Sequence, residues 1–374
     1  MNYSFWEKKF IESYADVTII GSGIVGISTA ISILEARPGT TVKVLERGAL
    51  PYGASTKNAG FSCFGSVSEL LDDAHSMGAE ACAEIVGMRW QGLSKLKERA
   101  GLAALEYADC GGTELFRKTD EVLEQTCMDN LDYCNQLIER ATGLKDTYTA
   151  AENTELPGFS AHKIFNRHEG TINPVSMMNF LINMARQLGV KIHNGVSISV
   201  VDYQNRLLHA EGGLQIPYRL LVVCTNGFAA RLLPSLDVLP ARNQVLITRP
   251  VVSNRLSSGY HLDKGYVYFR NYEGRILLGG GRNLFYEEET TDQFGNTEGI
   301  KAYLTEMLET IHPGASGEIE HWWSGILGVG PSKYPITQWV NDNVLAGVRM
   351  GGMGVAIGSH LGEKLAAEVI AKLG

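Results

Sequence analysis

The chain predicts an α/β fold in which a helix-covered parallel sheet is joined to a second, smaller α+β lobe, and three observations carry that expectation. An apolar, β-branched run at Val17 to Ile20 leads directly into glycines at positions 21, 23 and 26 and then into a helical stretch. At 374 residues the chain exceeds one ordinary domain, so its core is expected to divide between two lobes. Further on, strand-like segments such as "GYVYFRNY" and "GRILLGGG" alternate before a helix, the pattern of a separate sheet.

The opening unit is explicit. Val17 to Ile20 shows no polar alternation, as in a strand covered on both faces. Ile27 to Leu34 has helical periodicity, and "ARPG" at Ala36 to Gly39 ends that helix. A second strand, "TVKVLER", closes with Glu46. In a β-α-β nucleotide site Gly21 makes the tight turn, Gly23 admits pyrophosphate to the backbone, and Gly26 lets helix and strand pack closely. The helix start at Ile24 and Val25 then holds the phosphates. Glu46, 20 positions after Gly26, stands where an acid accepts hydrogen bonds from the adenosine ribose, with Arg47 beside it. Together these parts imply an ADP-containing cofactor.

Composition narrows the partners. Hydrophobic residues at 44% and charged residues at 20% are those of a folded globular chain, and no repeat or low-complexity tract interrupts it. A net charge of -8, with scattered Lys and Arg, argues against nucleic acid. The N-terminus carries charges through what would be the apolar core of a signal peptide, and no apolar run approaches bilayer length, so a cytoplasmic protein without an integral membrane segment is expected. The 6 cysteines include no CxxC pair; buried reduced thiols are expected, and no metal site.

A second glycine- and serine-bearing segment, "LPYGASTKNAGFSCFGS", follows the ribose acid at once. The combination "IGSGIVG…ERG…GASTKNAGF" resembles the FAD-dependent amine and amino-acid oxidoreductases of the D-amino-acid oxidase and glycine oxidase type, and the resemblance runs nearly end to end. "HEGTINPVSMMNFL" resembles the family's return into the cofactor domain, and "GVKIHNGVSISVVD", with Ile198, its strand beside the adenine. "LLVVCTNGFAARLL", with Thr225, Asn226 and Gly227, is similar to its strand and turn beneath the pyrophosphate. "PARNQVLITRP" resembles its crossing into the substrate lobe. In "NVLAGVRMGGMGVAIGSHLGEKLAAEVI" a strand runs into Gly351, Gly352, Met353, Gly354 and Val355 and then a helix, whose amides and positive end would face the flavin pyrimidine. The family implies a Rossmann-like FAD-binding domain from residues 1–88, 158–238 and 322–374, interleaved with an α+β substrate domain from 89–157 and 239–321. The active site is expected between them.

Relatives that tether FAD do so through a cysteine near the C-terminus or a histidine after the ribose acid. Here no Cys follows Cys224, and Asn58 takes the histidine's place. Noncovalent FAD is therefore expected, lined by Ser55, Thr56, Asn58, Ala59, Gly60 and Phe61. By the resemblance, a hydride leaves the amine-bearing carbon for flavin N5, the imine hydrolyses to a carbonyl, and oxygen or another acceptor reoxidises the flavin. The hard chemistry is the cofactor's. Lys57 either favours the anionic reduced flavin or is a solvated loop lysine.

Amino-acid oxidases of this type grip the substrate carboxylate with a planar guanidinium. In glycine oxidases that arginine lies two residues after Trp-x-Gly; here Trp323, Ser324 and Gly325 put Leu327 in its place. Arg349 is the first substitute and Arg270 the second. Strand periodicity sets Tyr266, Tyr268 and Arg270 on one face, either a substrate floor or aromatic packing. Trp322, Trp323 and Tyr334 either cap an amine or pack in the core. His168 and His321 have no partners at metal-ligand spacing and read as structural. The competing functions are a flavin dehydrogenase of a 2-hydroxy acid or polyol phosphate, for which the visible Lys and Arg density looks low, a structural FAD-binding subunit, and a nicotinamide dehydrogenase. Substrate, acceptor and oligomeric state are open at this stage.

Overall fold

The computed structural model describes residues 3–374. Its first sheet has six strands in the order Ile336–Asn341, Val344–Val348, Leu220–Val223, Val17–Ile20, Val42–Glu46, Lys191–Asn194. All neighbours are parallel except the first pair. The strand Val17–Ile20 lies between Leu220–Val223 and Val42–Glu46, and every residue in all three is buried, which is why the sequence shows no polar alternation there.

Alternate side chains go to alternate layers. Val17, Ile19, Val44 and Val222 join the core beneath the helices Ile24–Ala36, Pro174–Gln187 and Gly354–Leu373. Ile20, Leu45, Leu221 and Val223 face a three-stranded antiparallel layer, Ile198–Asp202, Leu207–Ala210 and Leu214–Pro217. The helix Ile24–Ala36 is apolar almost all round because it is sandwiched: Gly358 and Gly362 of the C-terminal helix are bare where Ile24 and Ser28 press against them, so that an added Cβ would lie 2.7 and 2.5 Å away.

A second sheet has eight strands in the order Ile319–Val329, Leu239–Thr248, Arg275–Gly280, Val267–Tyr272, Gly259–Leu262, Gly112–Leu115, His162–Asn166, Tyr148–Glu152. All its pairs are antiparallel except Gly259–Leu262 with Gly112–Leu115. One face packs on the helix Glu298–Ile311 through Leu246, Val267, Phe269 and Leu278. The other, with Val245, Leu277, Tyr268 and Trp323, packs against Ala59 and Phe61. Two expected boundaries cut through this sheet: His162–Asn166 and the whole of Ile319–Val329 hydrogen-bond into it, although residues from 158 and from 322 onwards were expected on the nucleotide side. Neither strand is distinguishable by composition from those of the first sheet, and only pairing assigns it.

Among the described residues no helix is long and apolar enough to cross a membrane, and no group of His, Cys, Asp or Glu is arranged to hold a metal. All six cysteines are free thiols.

Candidate active site

A cleft of about 330 Å³ opens at the carboxyl end of the first sheet, at the turn after Ile20. Gly21 has φ +103, and a Cβ on it would sit 2.7 Å from the Cys224 carbonyl oxygen. On Gly26 a Cβ would lie 2.0 Å from the Gly21 carbonyl oxygen, so this glycine serves helix–turn packing and does not line the cleft. Gly23 caps the helix without a side chain, which leaves the helix-start amides facing the cleft; the amide of Ile24 donates to Ser55 Oγ at 3.0 Å. Glu46 lines the cleft too, but its carboxylate accepts from the amide and hydroxyl of Ser22 and from the amides of Gly48 and Tyr52. It braces the turn as well as offering an acceptor to a ribose. Arg47 is sandwiched between the rings of Tyr52 and Phe228, 4.0 and 3.8 Å from their centroids. One of its terminal nitrogens, and the Thr225 hydroxyl, are buried without a partner while lining the cleft. Buried orphan donors call for a ligand, and a pyrophosphate at a helix start satisfies both that call and the free amides. Ile198, Ser197, Ser199 and Glu211 border the same cleft, the last three not anticipated.

The loop before the C-terminal helix is held open by its backbone. Arg349, Gly351 and Gly352 have φ of +67, +58 and +88. The Asn226 side-chain oxygen accepts from the amides of Arg349 and Met350 at 3.1 and 3.2 Å, and the Gly351 amide donates to the Gly328 carbonyl. The amides at the start of the helix Gly354–Leu373 have no side-chain cap. Asn226 thus lines the cleft as a clamp on this loop, while Gly227 stays out of it, because Leu327 presses against its Cα side.

A second cavity of about 240 Å³ adjoins the first; Ala54, Asn58, Leu327, Gly352 and Val355 border both. Ala59, Gly60, Phe61, Gly351 and Met353 line the second one, as do Lys57, Tyr266 and Tyr268. Thr56 lines neither and donates to the Pro51 carbonyl. Lys57 directs its ammonium to the Tyr52 carbonyl at 2.8 Å, and burial lowers its pKa. The Tyr268 hydroxyl accepts from Asn243 at 2.9 Å, and burial raises its pKa.

Charge collects around this cavity in a way the sequence did not reveal. Lys264 pairs with Asp72 at 2.5 Å, and Lys333 pairs with Asp73 at 2.5 Å and Glu69 at 3.4 Å. Glu69 also meets Arg89 at 3.0 Å. Burial opposes ionisation of Glu69, but Arg89 and Lys333 outweigh it and hold its pKa below the ordinary value. His261, also on the cavity wall, lies 3.4 Å from Glu169. Burial disfavours the imidazolium, yet the Glu169 carboxylate wins and raises the His261 pKa. Arg282 completes the set. These cations come from four separate segments, so no run in the sequence signals them.

Both expected carboxylate-binding arginines are corrected. Arg349 turns away from the cavity: its Nε donates to the Tyr334 carbonyl at 3.0 Å and a terminal nitrogen to the Asp237 carbonyl at 2.9 Å. Arg270 lies behind Gly60, donating to the Ile172 carbonyl at 3.0 Å, with burial lowering its pKa to about 10. The strand periodicity itself holds: Val267 and Phe269 enter the core, while Tyr268 and Arg270 take the other face. Trp322, Trp323 and Tyr334 line neither cavity. Trp322 packs on the core under the second sheet, Trp323 donates to the Lys57 carbonyl, and Tyr334 donates to Glu84.

Comparison with known proteins agrees with this geometry. The chain is 22% identical over 381 residues, covering 95% of itself and 83% of the relative, to gamma-glutamylputrescine oxidoreductase of Escherichia coli (strain K12). Among solved structures it resembles L-proline dehydrogenase from P. horikoshii, with TM-score 0.75 and 16% identity over 96% of this chain and 94% of that one. Glycine oxidase from Geobacillus kaustophilus follows with TM-score 0.72 and 18% identity, covering 96% and 95% of the two chains. The model of the family described as DAO, FAD dependent oxidoreductase, matches residues 16–368, and with a nucleotide cleft whose orphan donors suit a dinucleotide, this protein belongs to that family of FAD-dependent oxidoreductases.

Proposed function

We propose that the protein oxidises the C–N bond of a small amine or amino acid, with FAD lying along the first cleft and the substrate in the second. FAD, when bound, supplies the capacity to accept two electrons and a hydride. In this reading Gly21, Gly23 and the amides of Ile24 and Val25 receive the pyrophosphate with Arg47 and Thr225. Gly351, Gly352, Gly354 and Val355, with Ser55, Asn58, Ala59 and Gly60, would hold the ring where the two cavities meet. The chain's own residues orient the substrate and limit water at the reacting carbon. Noncovalent attachment follows from Asn58, whose amide is occupied by the carbonyls of Ala54 and Ser55. The lobes we infer keep the expected interleaving, with 162–166 and 322–329 reassigned to the substrate side.

The observation that carries the reading is the shared wall: a cavity lined by ionisable groups opens onto the residues that end the nucleotide cleft. Similarity to gamma-glutamylputrescine oxidoreductase and to glycine oxidase supports an amine over a hydroxyl substrate. A 2-hydroxy acid or polyol phosphate stays as the second reading, because Lys264, Arg282 and Lys333 supply cationic density around the cavity. The deciding experiment is an anaerobic titration of the purified flavoprotein with glycine, sarcosine, D-amino acids, polyamines and 2-hydroxy acids, following the visible flavin band. Bleaching by an amine class is expected, and readmitted air then distinguishes oxygen from another acceptor. Bleaching by hydroxy acids alone would replace the reading, and no bleaching by any member, with dithionite still effective, would sink it.

A further inference from the structure

Each cation around the second cavity but one has a partner inside the protein. Lys333 is held by Asp73 and Glu69, Lys264 by Asp72, His261 by Glu169, and Lys57 by the Tyr52 carbonyl. Arg282 has no carboxylate within ion-pair distance and donates no hydrogen bond among the described residues; its guanidinium carbon lies 5.7 Å from the centroid of the Tyr266 ring. It is partly buried, lines the cavity, and its charge acts on the Tyr268 phenol.

The chain is built to bring Arg282 there. Gly279, Gly280 and Gly281 precede it, and none has room for a Cβ. One on Gly279 would meet the Tyr268 ring at 2.6 Å, one on Gly280 the Tyr266 carbonyl oxygen at 1.9 Å, and one on Gly281 the Tyr303 ring at 2.7 Å. The Gly281 amide donates to the Tyr266 carbonyl at 3.0 Å. The strand Arg275–Gly280 therefore ends wrapped on the two tyrosines, and Arg282, two residues on, is delivered to the cavity beside them. Leu327, apolar and bordering both cavities, offers no competing charge.

We infer that Arg282 receives the carboxylate of the substrate, so that the substrate is an amine bearing a carboxylate and not a simple amine or a polyamine. A guanidinium matches two carboxylate oxygens with two parallel N–H donors, and an unpaired one in a partly desolvated wall has the most to gain from them. A polycation would meet the unneutralised Arg282 and find no free carboxylate, since Glu69 and Asp72 on the same wall are already held by Lys333 and Lys264. This inference rests on the proposed amine oxidation for the identity of the reacting group, and on the cavity alone for the carboxylate.

The test uses the purified flavoprotein, with benzoate and its uncharged counterpart benzamide as probes and the shift of the visible flavin band as the binding readout. Benzoate is expected to bind and benzamide not. Arg282→Met should weaken benzoate about 10- to 100-fold, with flavin content and dithionite reduction unchanged. Arg282→Lys should fall between, since an ammonium keeps the charge and loses the fork. Equal binding of benzoate and benzamide, no binding of benzoate, or undiminished binding by Arg282→Met would each overturn the assignment. The comparison of the two probes on the unaltered protein decides even where the variant loses its flavin. Bleaching by benzylamine but by no amino acid would sink Arg282 and leave amine oxidation standing. Benzoate binding with no bleaching by any amine would uphold the carboxylate site and sink amine oxidation.

Discussion

Asn226 shows why single residues divide into those a sequence reveals and those it hides. The glycines at 21, 23 and 26 were legible because their spacing after a strand is itself a pattern, although a Cβ on Gly21 or Gly23 would meet the distant Cys224 and Ser55. Asn226 was assigned to the cofactor by position alone. Its oxygen in fact spans 123 and 124 residues of sequence to clamp the amides of Arg349 and Met350. Arg349 was misjudged for the related reason that its backbone, at φ +67, stands on the loop before the C-terminal helix while its side chain leaves that loop for Tyr334 and Asp237. Asn226→Ala is expected to cost about 2 kcal/mol of loop order, from two lost hydrogen bonds of ~1 kcal/mol each. Asn226→Asp keeps the accepting oxygen and should lose much less. Equilibrium FAD affinity by fluorescence checks this: the Ala variant should bind FAD roughly 30-fold more weakly, and equal loss in both variants would refute the clamp.

At the scale of elements, the N-terminal helix Phe5–Ile11 is the plainest case of stability borrowed from elsewhere. Seven residues are too few to hold a helix alone, even with the reciprocal cap between Ser4 and Glu7. Its end is fixed by Lys43, fully buried in the strand Val42–Glu46, whose ammonium donates to the Ile11 carbonyl at 2.7 Å and to that of Ser13. Burial brings the Lys43 pKa down to about 8 from 10.5. The unfolded chain then binds the extra proton between those values, so this group makes stability rise with pH across that window and contributes a constant cost below it. Lys43→Met should flatten that rise in urea melts taken between pH 8 and 10. It should also free the helix, seen as faster proteolysis near residues 11–15, while the flavin stays bound. The strand itself was predictable from "TVKVLER"; the partner of its one charge was not, because a carbonyl at a distant helix end leaves no trace in composition.

For the whole molecule, two sheets were legible from the two kinds of strand pattern, whereas the membership of His162–Asn166 and Ile319–Val329 was decided only by pairing. The charged cavity was invisible for the same reason, since its groups meet only on folding. That cluster sets an acid response. Glu69, with its pKa held low, stabilises above the ordinary carboxylate range and loses that contribution as pH falls through its folded value. Asp73 runs the other way: burial, then the Glu69 charge, raise its pKa, so it protonates first and loosens Lys333. Lys333→Met should therefore cost about 1–2 kcal/mol near pH 7, discounted for a side chain that is 40% exposed. The gap in melting temperature from the parent should narrow as pH falls, first as Asp73 protonates and then as Glu69 does; a gap unchanged into strong acid would refute the electrostatic origin. A different consequence follows from the pairing of Leu239–Thr248 with Ile319–Val329, which runs from Thr248 opposite Ile319 to Leu239 opposite Val329. Its far end touches the loop before the C-terminal helix, where the Gly351 amide donates to the Gly328 carbonyl. A parting of the two sheets would have to break that backbone link, so the loop before the C-terminal helix is expected to travel with the second sheet as one piece.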